Sequence, residues 1–241
     1  MRSNRKIVIN FVIAIIGTII CFVGDMLLGC FYPSNSTGIS MLFPAFSEEW
    51  ANINGIRFVF GAICGVIALL MMFCGFYAIF LSMEKWKTKY RKIFLIASFV
   101  FVSVGTVYHC VFAITAWIYN KLIIYNPMQA EQISKEFFNT FIFVAMLAAV
   151  GFVILSYILF LAAMKGVWKN TKGFILVNPI LFMVLSVLLA KLLPQNAIVT
   201  GVFDWGQQSI SLLLVFSFFL KKSLMIQKQN SHECKEVEVN E

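Results

Sequence analysis

Charge is scarce in this sequence. Asp, Glu, Lys and Arg together make up 12% of its 241 residues, about half the share of a soluble domain. So little charge cannot clothe a water-facing surface of this size, which excludes an ordinary soluble domain. Histidine is scarcer: His109 and His232 are the only two, and neither belongs to an H-x-x-x-H or H-E-x-x-H signature. The six cysteines form no C-x-x-C pair. No G-x-S-x-G elbow, Gly-rich phosphate loop or nucleotide motif occurs, which excludes the motif-defined hydrolases and nucleotide enzymes. The segments outside the apolar runs are too short to hold a catalytic domain of their own.

What the chain has instead is apolar residues, 61% of the total, with 26 phenylalanines and a mean hydropathy of +0.88. They fall in long blocks. About 20 mostly apolar residues carry a helix across roughly 30 Å of hydrocarbon, and six segments reach that length: Ile7–Phe31, Ile56–Ser82, Ile93–Tyr119, Phe137–Met164, Phe174–Leu193 and Ala197–Leu220. The first is too long for a removable signal peptide and lacks its cleavage site, so it reads as a retained span. Alternating ten-residue strands are absent, which removes the barrel alternative. The expected fold is all-α: one domain over residues 1–222, a bundle of six transmembrane helices, followed by a polar tail at 223–241 whose mixed charge predicts disorder.

The net charge of +8 sets topology rather than binding nucleic acid, because no basic cluster sits on a soluble domain. Arg2, Arg5 and Lys6 precede the first span, and Lys85, Lys87, Lys89, Arg91 and Lys92 follow the second. Lys165, Lys169 and Lys172 follow the fourth, and Lys221, Lys222, Lys228 and Lys235 the sixth. Only Arg57, Lys121, Lys135 and Lys191 fall on the other side. By the positive-inside rule both termini are cytoplasmic. Abundant Ile, Phe, Lys and Asn fit an AT-rich bacterial genome, and the plasma membrane is the expected address. On the outer side, the first loop carries the apolar "MLFPAF" with Trp50 as an interfacial belt residue, and the third loop has room for a short amphipathic turn. Asn178-Pro179 should kink or cap the fifth span.

Polar residues then stand out by depth. At 1.5 Å per residue, Asp25 lies about 27 Å along the first span from Ile7, and His109 about 24 Å along the third. Asp204 enters about 10 Å below the outer surface, and Arg57 stands at the outer mouth of the second span. Four ionisable residues from four spans therefore share the outer third of the bilayer. Asp204, Gln207, Gln208 and Ser211 follow i, i+3, i+4, i+7 spacing and so occupy one helix face. A mid-bilayer Asp costs about 3 kcal/mol on the insertion scale, so this stripe should face inward and line a wet pocket. In the first span, Thr18, Cys21 and Asp25 share a face, with Gly17 and Gly24 beside them. Gly61 and Gly65 of "GAICG" form a small-xxx-small pair suited to close helix packing.

The expected ligand set is Asp25, Arg57, His109, Asp204, Gln207, Gln208 and Ser211, taking a small polar or cationic ligand or protons for binding or transport. Arg57 would tune the acids or steer anions. A second class is a membrane hydrolase working on a lipid headgroup at the outer leaflet, with Asp25, His109 and Asp204 as acid, base or metal ligands. A third is a structural or partner-binding subunit in which the polar cluster only fixes helix register. No cofactor and no metal are expected; Asp25, His109 and Asp204 are the donors that would make a three-ligand open site. The intramembrane cysteines read as small apolar residues. The lipid bilayer is the expected partner, and nucleic acid is not one.

"GDMLLG" at Gly24–Gly29 resembles the Gly-Asp-x-x-Leu element of lysoplasmalogenase-like membrane hydrolases. The resemblance implies an eight-span bundle with Asp25 as a catalytic acid; that family has a second acid and a His soon afterwards, whereas the first His here is His109. The whole-chain pattern looks like small bacterial six-span membrane proteins without assigned function.

Overall fold

The structure is a computed structural model describing residues 2–31, 46, 48–84, 86–168, 174–175, 178–194 and 196–239. Among the described residues all regular structure is helical: α1 (Arg2–Gly29), a 3₁₀ turn (Glu48–Asn52), α2 (Ile56–Ser82), α3 (Thr88–Leu122), α4 (Pro127–Thr140), α5 (Ile142–Met164) and α6 (Pro179–Leu192). A single turn α7 (Ala197–Val199) then leads through a π turn (Thr200–Trp205) into α8 (Gln207–Val239). Helices α1, α2, α3, α5 and α8 are long and apolar enough to cross a membrane. Their outward side chains include Ile19, Phe60, Leu70, Ile96, Phe99, Phe143 and Met146, all about half exposed or more. Such a surface has hydrocarbon as its natural solvent.

Three expectations change. The fourth span does not start at Phe137. The chain breaks at Phe141, and α4 is a separate amphipathic helix. Asn126 caps it by accepting from the Met128 and Gln129 amides, with Pro127 at the first helical position, and it buries Ala130, Ser134 and Phe138 along one face. The fifth span begins late: Asn178 accepts from the Ile180 amide and Pro179 opens α6, which spans only 14 residues, or about 21 Å. Trp50 is no belt residue, being fully buried against Phe31, Phe46, Phe58 and Tyr119. Residues 41–45 of "MLFPAF" lie outside the described residues. The backbone of α8 is helical to Val239. Nothing between Gln207 and Val239 is Gly or Pro, so a nucleated helix can propagate.

The long helices run antiparallel to their neighbours. Gly17 and Gly24 of α1 meet Met71 and Cys64 of α2, and Phe11 of α1 stacks on Phe219 of α8. A Cβ at Gly24 would stand 2.9 Å from the Cys64 Cβ, so glycine is what lets these two backbones close. α3 packs against α2 and α5, while α6 leans on α8 and the π turn and barely touches α5. The bundle holds two apolar clusters. One surrounds Phe76, Phe101, Leu155 and Phe216; the other gathers Leu28, Trp50, Phe112, Phe138 and Trp205 at the end that carries the 3₁₀ turn and α4.

Candidate functional site

The polar residues lie where those two clusters meet. Cys21 belongs to the first cluster and Leu28 to the second, with Asp25 between them on α1. Its carboxylate is 5% exposed. Oδ2 accepts a 2.6 Å hydrogen bond from the Ser209 hydroxyl of α8, and Oδ1 lies 3.4 Å from Nε2 of His109 on α3. The Cys21 thiol, one turn before Asp25, sits 4.0 Å from the same nitrogen. α2 contributes an absence of side chain: His109 packs where a Cβ on Gly65 would stand. The ligand-capable atoms of Cys21, Asp25 and His109 all fall within 4.8 Å of one another.

This cluster forms part of the wall of a cavity of about 510 Å³, within the range of small-molecule sites. Asp204, Gln207, Gln208 and Ser209 add to its polar lining, and Tyr108 and Trp205 also stand on the wall. Most of the wall is apolar, from Phe101 and Phe112 of α3 through Phe152 of α5 to Met183 of α6. Among the described residues no Lys or Arg lines it. Val153 of α5 and Val184 and Leu188 of α6 line the cavity yet are about half exposed. The cavity therefore opens sideways, between α5 and α6.

Of the expected residues, Asp25, His109, Asp204, Gln207 and Gln208 come together on this cavity. Gln207 also braces it: turned with its nitrogen toward the carbonyls, its amide donates to Phe203 at 3.3 Å and to Met183 of α6 at 3.2 Å. Two expected residues stand elsewhere. Arg57 pairs with neither acid; its guanidinium donates to the carbonyls of Met26, Leu27 and Cys30. It thus supplies donors to carbonyls at the end of α1, where the Met26 carbonyl also accepts from the Cys30 amide, at a helix terminus where positive charge is favoured. Ser211 is fully buried, returns its hydroxyl to the Gln208 carbonyl at 2.7 Å, and is no part of the lining. The wall on α8 runs through Gln208, Ser209 and Leu212, and Ser211 stands about 100° round the helix from Leu212, which turns it off that face.

Ser209 and Cys21 were the missed partners. A period of i, i+4, i+7, i+11 and i+14 runs through the buried residues Trp205, Ser209, Leu212, Phe216 and Phe219, and Ser209 is its one polar member. As for a metal, Asp204 stays outside the cluster of potential ligands, and Cys21 takes the third place.

A family of unknown function (DUF6796) matches residues 1–225. Among curated proteins and among solved structures, nothing matches the chain.

Proposed function

We propose that this chain, which belongs to that family over residues 1–225, binds an amphiphile whose cationic or hydrogen-bond-donating head reaches Asp25 and Asp204. The observation that carries this reading is the composition of the cavity wall: mostly apolar, with two carboxylates, a His and two Gln at the polar lining and, among the described residues, no Lys or Arg. A free polar solute would leave those apolar walls unmatched, and an anionic head would meet uncompensated acids. The sideways opening between α5 and α6 supports entry from the bilayer, with the head directed to Asp25 and Asp204 and the tail along Phe152 and Val184. Binding is the minimal function, and transport of the same head group would be its extension.

The test compares a long-chain amine with the alcohol and carboxylate of equal length, added to protein in detergent micelles. The amine should raise the unfolding temperature most, and Asp204→Asn should shrink that advantage. Equal shifts from amine and carboxylate would sink the reading.

A second reading, hydrolysis of a lipid headgroup ester, is favoured by the adjacency of Asp25, His109 and Ser209 beside a lipid-side opening. In it, His109 or Asp25 takes a proton from water as it attacks and returns one to the departing group. The likeness of "GDMLLG" to lysoplasmalogenase-like hydrolases would place a catalytic acid at Asp25, in keeping with this reading. Release of free headgroup from labelled vesicles would separate it from binding alone.

For topology we infer six spans, with α6 as the short one, and both termini in the cytoplasm of a bacterial plasma membrane. The basic residues crowded into one set of segments support this. Reporter fusions at both termini test it, and a periplasmic signal from either would reverse the assignment.

A further inference from the structure

We propose that Cys21, Asp25 and His109 form a binding site for a divalent transition-metal ion of zinc type. The site goes beyond amphiphile binding and stands whether or not a lipid enters the cavity.

The donor set is the first argument. Thiolate, imidazole and carboxylate are each common zinc ligands, and a thiolate disfavours the oxygen-seeking magnesium and calcium. Geometry is the second. Zinc bonds of about 2.0–2.3 Å at tetrahedral angles place neighbouring ligand atoms about 3.3–3.6 Å apart. The His109 Nε2 to Asp25 Oδ1 edge is 3.4 Å, and the Cys21 Sγ to His109 Nε2 edge is 4.0 Å. The Cys21 to Asp25 edge falls within 4.8 Å, so the thiol would rotate toward both partners to complete the triangle on a bound ion. Cys21 and Asp25 stand four residues apart on one face of α1, and His109 is held against Gly65, so the ligands come from rigid elements.

The surroundings agree with a metal. Ser209 occupies Oδ2 of Asp25 and leaves Oδ1 for the ion, as a hydroxyl oriented on a ligating carboxylate does. All three ligand side chains also line the cavity, which leaves a fourth position open to water or to a ligand head. Charge is the last argument. A carboxylate buried in an apolar bundle is costly, whereas one carboxylate and one thiolate on a divalent ion sum to zero. Three protein ligands and an open position make the arrangement of a catalytic rather than a structural zinc site.

The experiment uses full-length protein purified through a tag that binds no metal, with metal content read by mass spectrometry and cobalt(II) titrated into stripped protein. About one zinc ion per chain is expected, and cobalt should give a thiolate charge-transfer band. Cys21→Ser should abolish the band, whereas Cys74→Ser and Cys110→Ser should leave it intact. Cys21 is buried and His109 is packed against Gly65, so Ser209→Ala serves as the milder variant and should weaken cobalt binding about tenfold. Metal-free wild-type protein that gives no cobalt band would overturn the proposal, as would a band that survives Cys21→Ser. Amphiphile shifts measured on the same samples separate the two readings: amine preference without metal sinks only this proposal, and metal without amine preference sinks only the former.

Discussion

The imidazole of His109 occupies the space that a side chain on Gly65 would need: a Cβ there would fall 2.4 Å from the ring's Cγ and Nδ1. Through this one missing methyl, α2 admits a residue of α3 into contact with Asp25 of α1. Gly65→Ala should therefore expel the ring rather than bend it, because the clash is with the ring's base and not a flexible tip. Overpacking of this kind costs about 1–3 kcal/mol. The expected result is a lower unfolding temperature together with lost amine preference. Wild-type values for both would mean that His109 has another place to go.

Asp25→Asn separates charge from shape. The amide oxygen can still accept from Ser209, so the folded protein should lose no more than about 1 kcal/mol. Its preference for a long-chain amine over the matching alcohol should fall about tenfold, a loss of about 1.4 kcal/mol in binding. Binding isotherms in micelles read the second quantity directly, and an unchanged preference would assign the charge recognition to Asp204 alone.

Arg57 acts on stability. Arg57→Ala strips donors from the carbonyls of Met26, Leu27 and Cys30 at the end of α1 and should destabilise the bundle by about 2–3 kcal/mol. Arg57→Lys should recover only part of this, since an ammonium cannot reproduce the guanidinium fork. Ligand selectivity of the protein that remains folded should be unaltered. A change in selectivity at constant melting temperature would instead return Arg57 to the cavity.

Asn120 of α3 anchors the 3₁₀ turn by donating to the carbonyls of Trp50 and Ile53. Asn120→Leu removes the donor from the Ile53 carbonyl and leaves the Trp50 carbonyl only the 3.3 Å bond from the Ile53 amide, at about 1–3 kcal/mol. The effect should localise, so limited proteolysis between the 3₁₀ turn and α2 should accelerate before the bundle melts. Cleavage at an unchanged rate would show that the buried Trp50 holds this segment alone.

The long helices could be read from sequence because a run of twenty apolar residues is a compositional fact that tertiary structure cannot disguise. Helix breaks were harder. Phe137 and Phe138 before the α4–α5 break and Ile142 and Phe143 after it are all apolar, so hydropathy runs straight across it. α6 was overextended for the same reason, until Asn178 and Pro179 fixed its start. In the site, Asp25, His109, Asp204, Gln207 and Gln208 were conspicuous because charge and amides are expensive in lipid. Cys21 and Ser209 were not, since a thiol or a hydroxyl inside an apolar helix costs little and acquires meaning only from its neighbour. Arg57 was misread because its nearest negative ends are backbone carbonyls, which no side-chain inventory counts.

The wide turn from Thr200 to Trp205 gives α8 a phase that depends on a single residue. Excising one amino acid between Thr200 and Phe203 would restore ordinary winding and swing α7 and α6 by about 100° relative to α8, while Asp204 kept its place on the wall and Ser209 its grip on Asp25. A one-codon deletion would thus move the α6 side of the cavity independently of its polar side, a separation that point substitution cannot achieve.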